Sequence, residues 1–80
     1  MCIGEAVKER ILELCREKNI SINKLSTMSG VTRSMVNNIV SGRNRSATIS
    51  TIKKLCDGLG ITIKQFFDSD LFRDLDQELQ

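Results

Sequence analysis

Residues 33–40 interleave two kinds of side chain: Arg33, Ser34, Asn37 and Asn38 are polar, and Val36, Ile39 and Val40 are apolar. At 3.6 residues per turn the two sets fall on opposite sides of one short helix. The polar set suits hydrogen bonding to base edges. An arginine fork matches O6 and N7 of guanine, and an asparagine amide matches adenine. Each good bidentate contact is worth roughly 1–3 kcal/mol of discrimination. An ordinary solvated helix face would carry the same residue types, so the surroundings have to decide. Met35, beside them, has two readings: an exposed thioether touching a thymine methyl, or partial packing in the core.

The net charge is only +2, but it is unevenly spread. Residues 21–55 carry Lys24, Arg33, Arg43, Arg45, Lys53 and Lys54 and no carboxylate. Residues 56–80 carry five Asp and one Glu against Lys64 and Arg73, and residues 1–20 balance four Glu with four Lys and Arg. A carboxylate-free stretch of 35 residues is the electrostatic footprint of a surface that meets a polyanion. Arg43 and Arg45 lie in a polar, basic loop at 41–47. They and the three lysines have no carboxylate nearby in sequence and suit phosphate contacts, which position a protein without reading base sequence.

The elements around this stripe are all helical by periodicity, and no stretch alternates cleanly as a strand would. Ile3, Val7, Ile11, Leu14 and Cys15 mark one face of a helix over Ile3–Lys18, with Lys8, Glu9, Arg10 and Glu13 on a solvated face and Asn19 as its stop. Ser21 is the N-cap of a second helix with Ile22, Leu25 and Met28 on one side, ended by Gly30. Thr32 caps the third helix, which Gly42 stops. Thr48 caps a fourth, with Ile49, Ile52, Leu55, Cys56 and Leu59 inward and Gly60 at its end. Thr62 caps a fifth with Ile63, Phe66 and Phe67, and the acidic residues after Asp68 keep Leu71, Phe72, Leu75 and Leu79 at helical intervals. The second and third helices, joined by a short turn with glycine, form a helix-turn-helix pattern.

Eighty residues allow a single small domain. No apolar run approaches the ~18 residues of a membrane span, and the N-terminus lacks the apolar region of a signal peptide, so a cytoplasmic chain is expected. Cys2, Cys15 and Cys56 are odd in number and far apart, without zinc or thioredoxin spacing; Cys15 and Cys56 read as small core hydrophobes. With no His, no phosphate-cradling glycine loop and no clustered inward carboxylates, neither an enzyme nor a cofactor, metal or small-molecule site is expected.

The stretch from Leu25 to Gly42 resembles the helix-turn-helix of the Cro/CI-type (Xre-type) DNA-binding domains. Thr48 to Phe67, with the Leu59-Gly60-Ile61-Thr62 turn, is similar to that family's fourth and fifth helices, and the resemblance covers roughly residues 5–68. It implies an all-α, compact five-helix bundle of the lambda-repressor-like kind, with the domain at 1–68 and an acidic tail at 69–80. It implies that the third helix enters the major groove of double-stranded DNA. Arg33, Ser34, Asn38 and Asn37 then become the base-contacting candidates, and Thr32, Arg43, Asn44 and Arg45 the phosphate-contacting ones. Three positions depart from the common pattern. Ile22 stands where many members have a phosphate-contacting Gln. Cys15 and Val40 replace an Arg–Glu pair, and Ser26 stands where Ala is usual.

The function so implied is a transcriptional regulator, most simply a repressor, bound to its operator as a homodimer. Phe67, Leu71, Phe72, Leu75 and Leu79 are the candidate dimer contact; alternatively, Phe66, Leu71 and Phe72 cover the first helix of their own chain. A second class of function is an antitoxin-like interaction module of the same fold whose main partner is another protein.

Overall fold

The computed structural model describes residues 2–41, 48–73 and 75. Among these lie α1 (Ile3–Lys18), α2 (Ile22–Ser29), α3 (Arg33–Val40), α4 (Ile49–Leu59) and α5 (Ile63–Phe67), then a 3-10 turn at Asp70–Phe72, and no strand. The all-α five-helix architecture is the one the resemblance implied. The expected stop at Gly42, the loop residues Arg43, Asn44 and Arg45, and Leu79 lie outside the described residues.

Local chemistry sets the helix boundaries. Ser21, Thr32, Thr48 and Thr62 each accept a hydrogen bond from the backbone N–H three residues on, satisfying one of the donors a helix start leaves orphaned. At Thr62 the cap is reciprocal, because the Gln65 side chain accepts from the Thr62 N–H at 2.8 Å. Asn19 ends α1 in the left-handed region at φ 56°, and Gly30 and Gly60 end α2 and α4 at φ 74° and 73°.

The core is aliphatic. Ile11, Leu25, Val36, Leu55 and Phe66 are fully buried, and Val7, Leu14, Cys15, Val31, Ile39, Ile52, Cys56 and Leu59 complete the cluster. Burial pushes the thiols of Cys15 and Cys56 above the ordinary range; for Cys56 the Asp57 carboxylate adds to the rise and Lys53 opposes it. Three expected core residues face out instead, one of them Ile63, 36% exposed in the first turn of α5. Ile49 is 65% exposed because it sits one turn ahead of Ile52, where the core layer has ended, and Met28 is 40% exposed at the edge of α2. After α5 the chain folds back on α1. Phe72 packs beside Phe66 and Phe67, with ring centroids 6.3 and 4.9 Å away.

Arg10 corrects the solvated reading of its face of α1. It is 9% exposed, its Nε donates to the Phe66 carbonyl at 2.7 Å and its Nη2 to the Gln65 carbonyl at 2.8 Å. Glu13 accepts from Nη1 and balances the charge. The cause is the C-terminal end of α5, where a helix leaves carbonyls short of donors: the Phe66 carbonyl takes its bond from Arg10, and the Gln65 carbonyl, which already accepts from the Asp68 N–H at 3.3 Å, takes a second from it. One guanidinium fork reaches both carbonyls. Arg10→Ala should therefore cost about 2–4 kcal/mol, because two charge-assisted bonds are lost and the Phe66 carbonyl stays covered, while the Gln65 carbonyl keeps the Asp68 N–H. Thermal unfolding followed by circular dichroism checks it, and Arg10→Lys should recover only part of the loss, since an ammonium lacks the fork.

Helix α4 packs most extensively on α2, and Gly58 sets how closely. A Cβ at Gly58 would lie 2.7 Å from Ser29 Cα and 2.9 Å from the Met28 carbonyl carbon, both backbone atoms. Gly58→Ala should thus lower stability by about 1–3 kcal/mol in denaturant titration, the cost of overpacking, although alanine is the better helix former.

Candidate nucleic-acid interface

The connection between α2 and α3 is short, and two hydroxyls rigidify it. Ser26 Oγ donates to the Val31 carbonyl at 2.6 Å, and Ser29 Oγ donates to the Leu25 carbonyl at 2.8 Å while accepting from the Val31 N–H at 3.3 Å. Gly30 closes the turn, its N–H bonded to the Ser26 carbonyl at 3.0 Å. Val31 is then buried, which fixes the turn to the core. Noting Ser26 only as standing where Ala is usual missed this role; a hydroxyl five residues before a turn carbonyl is the local signal that carries it.

Helix α3 starts at Thr32, whose hydroxyl accepts from the Met35 N–H at 3.2 Å. Val36 and Ile39 are buried and Val40 is half-buried against the core. Arg33, Ser34, Asn37 and Asn38 are all exposed, on the other side. Among the described residues none of the four side chains has a hydrogen bond or ion pair. The structure therefore brings the four candidate base-reading side chains together on one exposed face, with Thr32 at its start.

The surroundings are basic with one qualification. Lys24 and Lys54 are exposed. Lys53, taken in the sequence as lacking a carboxylate nearby, pairs with Asp57 one turn along α4. The carboxylate lies just past the acid-free stretch. Both partners are more than half exposed, so the pair contributes little to stability. Ile22 is half-buried against the core and offers no donor where a Gln side chain would.

Met35 is 42% exposed on the flank of the stripe that faces α4. The Thr51 hydroxyl donates to its sulfur at 3.7 Å and lies 3.0 Å from the Thr48 hydroxyl. This contact between α3 and α4 has no trace in local sequence pattern.

Fold and site together define a helix-turn-helix domain whose second helix presents a polar, unpaired face. The chain matches the Cro/C1-type HTH DNA-binding domain over residues 10–70 and belongs to that family. It is similar to the prophage Lp1 protein 11 of known crystal structure, at 38% identity with a TM-score of 0.80, covering 94% of this chain and 100% of that one. No curated protein matches it. Among the described residues no helix is long and apolar enough to cross a membrane.

The cap on α3 is testable without any ligand. Thr32→Ala should destabilise the fold by about 1 kcal/mol and Thr32→Ser by much less, measured by urea unfolding.

Proposed function

We propose that this chain is a sequence-specific transcriptional regulator, a repressor, that binds its operator as a two-fold dimer in the cytoplasm with α3 in the major groove. The observation that carries this reading is the exposed face of Arg33, Ser34, Asn37 and Asn38. Those side chains project from a capped helix seated on the core, in a chain of the Cro/C1-type DNA-binding family. Arg33 and Ser34, in the first turn, and Asn38, one turn on, bond to base edges, with Asn37 nearer the backbone. Thr32, Arg43, Asn44 and Arg45 contact phosphates, and the domain at 1–68 carries all of these residues. Repression follows from occupancy of the operator.

The dimer is supported by the length of the reading element, since eight residues reach few base pairs. The acidic tail at 69–80 is the proposed contact. Phe72 is already engaged with Phe66 and Phe67 of its own chain, which leaves, among the described residues of the tail, the half-buried Leu71 and Leu75 as its apolar contribution.

Selection from random duplexes tests the reading. Arg33→Ala should relax preference at one base position, at a cost of about 1–3 kcal/mol for the preferred base. Arg45→Ala should weaken all sequences alike and reduce the slope of log K against log salt by about 1. Two variants that behave identically across the library would remove this division of roles. A wild-type chain that selects no duplex would favour a protein partner instead.

A further inference from the structure

We propose that Met35 is a specificity-determining residue of this interface, reading the 5-methyl group of a thymine in the major groove while Thr51 holds its sulfur in place. The inference rests on the major-groove reading of α3 given above and deepens it. Thymine differs from the other bases in the major groove by its 5-methyl group, and that methyl is recognised by apolar contact rather than by a hydrogen bond. The exposed stripe of α3 holds one guanidinium, one hydroxyl and two amides, none of which supplies such contact. The apolar side chains of α3 are elsewhere, with Val36 and Ile39 buried and Val40 half-buried against the core. Met35 alone among them is exposed, at 42%, one residue beyond Ser34.

Exposure by itself would describe an idle surface methionine. The second observation is the hold from α4. The Thr48 and Thr51 hydroxyls lie 3.0 Å apart in hydrogen-bond contact, and the Thr51 hydroxyl donates to Met35 Sδ at 3.7 Å. Thr48 Oγ1 is itself fixed as the α4 cap, accepting from the Thr51 N–H at 3.1 Å. The chain of contacts runs from the capped end of one helix to the sulfur of a side chain on another. Methionine has three rotatable bonds and a polarisable sulfur, so a surface copy would ordinarily sample many rotamers. A sulfur anchored before binding leaves less freedom to be lost at the interface, and leaves the terminal methyl as the free end. The occupant is duplex DNA because the methionine shares its helix with the polar stripe, within a stretch of sequence free of carboxylates from residue 21 to residue 55.

The test uses the full chain and the duplex it prefers from a random library. Each thymine of that site is replaced singly by deoxyuridine, which removes the methyl and keeps every hydrogen-bonding group. One position should weaken wild-type binding about fourfold, the worth of a single methyl withdrawn from water. In Met35→Ala the same replacement should have almost no effect, and in Met35→Leu most of the discrimination should remain. Thr51→Val, which keeps the shape and removes the hydroxyl, should fall between at about twofold. A preferred site with no methyl-sensitive thymine, or with sensitivity undiminished in Met35→Ala, overturns the inference and leaves the regulator reading standing. Discrimination in Thr51→Val equal to wild type overturns the role of Thr51. Failure to enrich any preferred duplex overturns the regulator reading and this inference with it.

Discussion

An eight-residue helix has too few internal hydrogen bonds to persist alone in water, where lengths below about 12–15 residues are marginal. Both α2 and α3 are of that length. Their conformation is therefore imposed from outside, and everything the polar face can do depends on that imposition. Val36 and Ile39 anchor one side of α3 in the core, Thr32 closes its first turn, and Ser26 and Ser29 fix the turn before it. The side that would meet bases is presented by residues that never touch it. A cavity beneath α3 would disturb the polar face as surely as loss of one of its side chains, because the two sides are faces of one short rod.

Charge is arranged to leave that rod clear. Arg10, the one buried cation among the described residues, is neutralised within the fold by Glu13 and by two carbonyls of α5. Its charge is spent on holding α5 against α1. The carboxylates lie on α1, at the far end of α4 and beyond α5, away in sequence from the helix-turn-helix. Where one does meet a cation of the basic stretch, at Asp57 and Lys53, the pair is exposed and weak. Segregation of this kind stabilises little, but it shapes the long-range field that brings a polyanion to the correct side.

How much of this was legible in the sequence follows from the range of each interaction. The bounds of α1, the four Ser and Thr caps, and the stops at Asn19, Gly30 and Gly60 are decided within three or four residues, and pattern alone located them. Burial of Arg10 depends on carbonyls 55 and 56 residues away, so helical periodicity, which sees one face of one helix, put it in solvent. Gly58 carries no local sign of the Ser29 backbone seated against it. Ile49 continues the apolar spacing of α4 past the end of the core that spacing is meant to cover. The candidate site divides in the same way. Periodicity gathered the four polar residues on one side of α3, whereas the hold of Thr51 on Met35 spans 16 residues and two helices and leaves no local mark.

The size of the reading element finally constrains what kind of regulator such a chain can be. At 1.5 Å per residue α3 is about 12 Å long, which spans only about three or four base pairs at 3.4 Å each. A four-base-pair sequence recurs by chance about once in 256 positions, while a genome offers roughly 10⁶–10⁹ competing sites. No improvement in the contacts of one copy removes that deficit, because it lies in the number of bases touched. Two copies related by a two-fold axis double the bases read without new chemistry, and multiply the two discriminations rather than adding them. The shortness of α3 is what supports the proposed dimer. It also assigns the tail a physical purpose: an acidic, leucine-bearing segment can join two copies while electrostatic repulsion keeps it off the phosphates that the basic stretch attracts.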